Sequence, residues 1–272
     1  MSLHIRIFVL LAGAGLHAAV AAADVVPLSF VNGLPFARVT VGATSSHMMI
    51  DSGGALGLSI PEATIRQAGS VSLLDRSTAF RDLHGKVYEV KNLVARDVVV
   101  GTTVLAPVEG QVHVEWGGAP EGPEAELTRA RKTGAIGLAA FGGRPLLFDY
   151  TRKTLSIYAP GEPLGEGWQV LRLEYGKEGP HVRLVVKGKP RKFVLDTAAQ
   201  VNLLDAASLP DEGRELGEVT DGAGRPLGSL TAERVKLGGA PFDGILGAPF
   251  FQRYRVLFDL PGQRLLLAPP AP

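Results

Sequence analysis

His47-Met48-Met49-Ile50-Asp51-Ser52-Gly53 and Lys192-Phe193-Val194-Leu195-Asp196-Thr197-Ala198 are the stretches on which the reading of this chain turns. Each carries an apolar run into an Asp, then a hydroxyl residue and a small residue. One such triplet arises easily by chance. The sequel does not. Gly134-Ala135-Ile136-Gly137, Phe141 and Phe148-Asp149 follow the first; Gly244-Ile245-Leu246-Gly247, Phe251 and Phe258-Asp259 follow the second. From the second Gly of the block onward the spacing is identical, so one unit is used twice. Upstream the agreement continues. Val41 and Val186 stand at the same distance before their Asp, each ending a β-branched run (Phe36–Val41, His181–Val186) ahead of a polar turn, which predicts two hairpins of one register.

The order hairpin, apolar strand, Asp-hydroxyl-small triplet, second hairpin, apolar-apolar-Gly and Phe-Asp strand resembles the aspartic proteases of the retropepsin and pepsin type, over about Val25 to Leu267. That resemblance implies a mainly β fold of two tandem retropepsin-like β-barrel lobes with an active-site cleft between them. The N-terminal lobe would span 24–159 and the C-terminal lobe 169–272. Breaker-rich 160–168 (Pro160-Gly161-Glu162-Pro163-Leu164-Gly165-Glu166-Gly167-Trp168) would link them. It further implies Asp51 and Asp196 as the catalytic pair, with Ile136-Gly137 and Leu246-Gly247 passing behind them. The Ser52 and Thr197 hydroxyls would bond across the lobe interface, and the N–H groups of Gly53 and Ala198 would orient the carboxylates. Both Asp residues lie on one chain, so the implied enzyme is a monomer acting on a peptide or protein substrate, with no metal or cofactor. In one place the chain departs from the pattern: Ala198 stands where Gly is expected. Gly serves where backbone must take φ > 0 or approach another group closely. The alternative is therefore a catalytically inactive peptide-binding or interaction protein that holds an extended peptide by strand addition.

Composition agrees with β structure and narrows the partners. Lys and Arg total 28 against 27 Asp and Glu, without a basic run, which gives no reason to expect nucleic acid or an anionic membrane as partner. With 34 Gly and 19 Pro among short apolar runs, the chain reads as turn-rich β. Ile5 to Leu16 is an apolar run behind His4 and Arg6 that ends in the Ala-rich segment 18–23, the order of a secretory signal peptide over 1–23. A periplasmic or secreted protein follows, with no stable membrane association after cleavage. The other reading is an uncleaved anchor, since Ile5 to Ala23 approaches bilayer length. The chain has no Cys, which removes disulfides and lipid attachment through Cys.

Each unit also offers a second hairpin, Phe80–Tyr88 and Val219–Gly228, as a lid over the cleft or an ordinary surface hairpin. Between Val114 and Gly134 the first unit carries an insertion with the charged segment Glu124 to Lys132. It reads as a solvated loop with a helical turn, or else as one wall of the cleft. Asp149, Asp205 and Asp259 are expected to be turn or cap residues. Other chemistries find little support: no two of the 6 His form a His-x-x-x-His pair, and neither a Gly-x-Ser-x-Gly elbow nor a phosphate-binding Gly-rich loop occurs.

Overall fold

A computed structural model describes residues 23–54, 57–81, 86–114, 124–207 and 215–270. The expected signal segment up to residue 22, the tip of the first candidate lid hairpin (82–85) and residues 115–123 of the insertion lie outside the described residues. Among the described residues the protein is mainly β, with 53% of them in strands and 11% in helix, as its turn-rich composition implies.

The doubled stretch forms the doubled structure. Leu34–Val41 pairs antiparallel with Thr44–Asp51, and Gly179–Val186 with Lys189–Leu195. Arg38 faces His47 in the first hairpin and Arg183 faces Lys192 in the second, so corresponding residues meet corresponding residues. Phe36, Ala37, Val39 and Val41 are buried while Arg38 is exposed. Phe193, Val194 and Leu195 are buried likewise. The second turn, Lys187-Gly188, has φ of 48° and 74°, the left-handed pair that a two-residue hairpin needs. Behind each Asp strand runs a short parallel strand. Ile136 pairs with Ile50 and Gly137 with Asp51; Ile245 pairs with Val194 and Leu246 with Leu195.

These elements lie in a 10-stranded sheet formed by the first half and an 8-stranded sheet formed by the second. A third, 6-stranded sheet joins them. Its order is Asp24–Pro27, Thr154–Ile157, Leu146–Asp149, Arg255–Asp259, Arg264–Ala268, Gln169–Arg172. At its centre the two Phe-Asp strands pair with each other, Leu147 opposite Leu257. Phe148, Phe251 and Phe258 then interlock in the core, with ring centroids 5.7–6.2 Å apart. Asp149 and Asp259 sit in turns as expected, accepting from the N–H of Arg152 at 2.9 Å and of Gly262 at 3.0 Å. Asp205 accepts from the N–H of Leu237 at 3.1 Å. Residues 160–168 do more than connect: Leu164 and Trp168 pack on Leu147, Leu257 and Leu266 of the joining sheet.

The second hairpins differ between the halves. In the first half Val71–Arg81 and Val87–Ala95 hang from Val108–Val112, with Tyr88 stacked on Phe80 across the pair at 5.1 Å. In the second half Glu215–Asp221 instead pairs with Gly179–Val186. Its turn is tied down, because buried Asp221 accepts from Gln169 Nε2 at 3.1 Å and Arg225 Nη2 donates to the Val170 carbonyl at 2.5 Å. A turn anchored on the joining sheet cannot act as a lid, so of the two readings the ordinary hairpin holds for the second half.

Candidate active site

The two Asp loops meet at the boundary between the halves, held by hydroxyls from each side. Ser52 Oγ donates to the Leu195 carbonyl at 2.9 Å and accepts from the Thr197 N–H at 2.9 Å. Thr197 Oγ1 donates to the Ile50 carbonyl at 2.6 Å and accepts from the Ser52 N–H at 2.9 Å. Each hydroxyl thus satisfies the carbonyl just before the opposite Asp and one N–H just after it. Both residues are fully buried, so water offers no substitute for these bonds.

Asp51 and Asp196 emerge from this lock side by side, each half-buried. Asp51 Oδ1 accepts from the Gly54 N–H at 2.9 Å, and Asp196 Oδ1 from the Ala198 N–H at 2.8 Å. Gly54 therefore holds the main orienting bond that was expected from Gly53, whose N–H lends Asp51 a weaker one. Gly53 has another task. A Cβ there would stand 2.6 Å from Asp196 Cγ, so the second carboxylate lies directly against the backbone of the first loop. From the second half, Gly179 approaches the same loop: a Cβ on it would lie 2.9 Å from the Gly53 carbonyl oxygen.

Loss of solvent dominates the electrostatics of the pair. Burial pushes the Asp51 carboxyl above the usual carboxylate range, against the pull of the Gly54 and Gly53 N–H groups. Asp196 is pushed up to about 7, by burial first and by the negative charge of Asp51 second. Two adjacent carboxyls in such a place share a proton. A folded-state value above the unfolded one means that the native protein binds the proton more tightly. Stability is then full below the unfolded value near 4 and is lost as pH rises through about 7. Asp196→Asn, neutral throughout, is accordingly expected to be more stable than the wild type at pH 8, by on the order of 2–4 kcal/mol, and to differ little at pH 4. Urea unfolding at the two pH values checks this. A variant less stable at pH 8 would reverse the sign of the argument.

Ala198 is accommodated. Its backbone is not among those with positive φ, its N–H holds Asp196, and its methyl packs on the apolar cluster of Leu34, Phe36, Met49 and Leu127. Ala198→Gly is therefore expected to retain the orienting bond and to lose packing and backbone restriction, costing about 1 kcal/mol. Urea unfolding checks this: a variant more stable than wild type would mean that the methyl strains the loop.

Sequence reasoning missed Arg131. The insertion forms the helix Glu124–Arg131, but that helix is docked rather than solvated: Leu127 is buried, and Ala130 packs in the same cluster as Ala198. Arg131 Nη2 then donates to the Ala198 carbonyl at 3.3 Å, and its charge draws both Asp51 and Asp196 downward. Leu127 and Ala130 at helical spacing just before Gly134 were the available signal. Two phenols border the pair as well. Tyr150 is raised by burial and then by Asp196, Tyr175 by burial and then by Asp51.

Compared with known proteins, the chain matches no family model and no curated protein.

Proposed function

We propose that the protein is an aspartic endopeptidase of the retropepsin and pepsin type, its two halves being tandem lobes around a substrate cleft with Asp51 and Asp196 at the floor. The observation that carries this reading is the reciprocal Ser52–Thr197 lock, which sets two carboxyls of raised affinity for a proton against each other. Simple turn or cap residues would not need it. In the proton-sharing pair, the ionised carboxylate takes a proton from a bound water while the protonated one hydrogen-bonds the peptide carbonyl oxygen. The water attacks the carbonyl carbon, the C–N bond breaks as the amine takes up a proton, and no covalent acyl intermediate forms. The chemistry asks for no metal or cofactor and no second subunit. Export through the 1–23 segment to the periplasm or medium belongs to the same proposal, as does a peptide or protein substrate.

Digestion of a mixed peptide library across pH tests the reading. Cleavage should peak below neutral pH, with an alkaline limb near the Asp196 value of about 7, and should survive chelators. Asp51→Asn and Asp196→Asn should each abolish it while leaving the fold intact. Cleavage persisting in either variant points to another mechanism. An inert wild type that binds extended peptides leaves the non-catalytic alternative standing.

A further inference from the structure

The repeat makes the two Asp loops nearly equivalent, yet the charge around them is one-sided. Gly134 and Gly244 are corresponding residues, so the position matching Arg131 in the second half is Pro241. Only the first half brings a cation to the pair by this route. Its placement is well determined. The Arg131 helix is pinned by Leu127 and Ala130 in the cluster with Met49 and Ala198. Its end is fixed by the Thr133 hydroxyl, which bonds the carbonyls of Ala130 and His47, and by the Gly134 carbonyl, which accepts from the Met49 N–H at 3.1 Å. Arg131 is thereby tied to the strand that delivers Asp51, while its half-buried guanidinium reaches the Ala198 carbonyl beside Asp196.

We propose that Arg131 is a specificity-determining residue that selects substrates presenting a carboxylate beside the scissile bond. This rests on the peptidase reading. A pair that shares one proton carries a net negative charge, which would repel an acidic substrate group at close range. A guanidinium at its edge offsets that charge and offers the planar donor geometry that matches a carboxylate. The carboxylate is that of an Asp or Glu side chain or of a peptide C-terminus, and the test separates these sources.

The full-length mature chain is assayed at pH 6, where a Glu side chain is ionised, on matched peptides carrying Glu, Gln, Leu or Lys on either side of the scissile bond, each with a free and an amidated C-terminus. Wild type is expected to favour Glu over Gln by about ten- to hundred-fold in kcat/KM, the range for a charge-assisted bond. Arg131→Gln should bring that Glu-to-Gln ratio to about one, whatever the absolute rates become now that the charge beside Asp51 and Asp196 is gone, and Arg131→Glu should turn the preference to Lys. A merely structural role would not invert selectivity. Circular dichroism confirms that the variants are folded, and Arg131→Lys, which keeps the charge, should retain part of the preference. A preference that follows the free C-terminus instead assigns the site to terminal carboxylates. Equal Glu and Gln rates in wild type, or a preference that persists in Arg131→Gln, overturns the proposal. If wild type cleaves nothing, the peptidase reading fails by itself, and binding of fluorescent Glu and Gln peptides decides this one: Glu-selective binding that Arg131→Gln removes sustains it, and equal binding overturns it.

Discussion

On the proposed peptidase reading, Gly53→Ala is expected to fold yet to lose about a hundred-fold or more in kcat/KM. The added Cβ would lie 2.6 Å from Asp196 Cγ, closer than real Cβ contacts come. Neither side can give way cheaply. Asp196 is held by the Ala198 N–H, and the first loop by the buried bonds of Ser52 and Thr197. Relief must therefore come from swinging the Asp196 carboxyl away from Asp51, which destroys the shared-proton pair. Ala198→Gly, at the corresponding position in the second triplet, should do no such thing. Steady-state kinetics on both variants, with circular dichroism as the fold control, checks the contrast. A Gly53→Ala variant that keeps more than about a tenth of the wild-type cleavage rate would mean that the two carboxyls need not be adjacent.

Thr197→Val should have the second large effect, this time on stability. Valine keeps the shape and removes the hydroxyl, leaving the Ile50 carbonyl and the Ser52 N–H without the partner that now meets them at 2.6 and 2.9 Å. Unmade buried bonds of this kind cost about 1–3 kcal/mol each, so a loss on the order of 3 kcal/mol is expected, or roughly 6–12 °C in Tm for a chain of this size. Ser52→Ala should cost a similar amount. The pair together should cost less than the sum, because each hydroxyl bonds the backbone beside the other and the first deletion already loosens the site of the second. A double-mutant cycle by urea unfolding measures the shortfall. Strict additivity would show the two hydroxyls to be independent.

The elements legible in the sequence are those whose signal is local and doubled. Apolar alternation, the polar turns and the equal distances from Val41 to Asp51 and from Val186 to Asp196 specify hairpins of one register, and the hairpins have it. The apolar-apolar-Gly blocks lie behind the Asp strands for the same reason. Equal spacing says that two copies exist, but not how they associate. The pairing of Leu147 with Leu257 therefore had no local signature. Ala198 was visible as a departure, whereas the direction of its methyl depends on Leu127, a residue of the other half. Arg131 was hidden likewise. A charged helix of 8 residues reads as solvated until the face that receives its Leu is known. The second hairpin stayed open between a lid and a surface hairpin because Gly-rich turns look mobile in any sequence, and what fixes this one is Gln169 and Val170, distant along the chain.

The joining sheet also sets an order of events in synthesis. Leu146–Asp149 finds one neighbour in Thr154–Ile157, which follows at once, but the other, Arg255–Asp259, is among the last segments to be made. Until then the nascent N-terminal half carries an open strand edge, of the kind that invites pairing with another chain. Its sheet closes only when the C-terminal residues arrive, and these bring Phe251 and Phe258 to cover Phe148 in the same step. Completion of the shared floor is thus a late, long-range event of the slow-forming kind. A ribosome that stalls before residue 255 would release a chain with an adhesive edge and no means of hiding it.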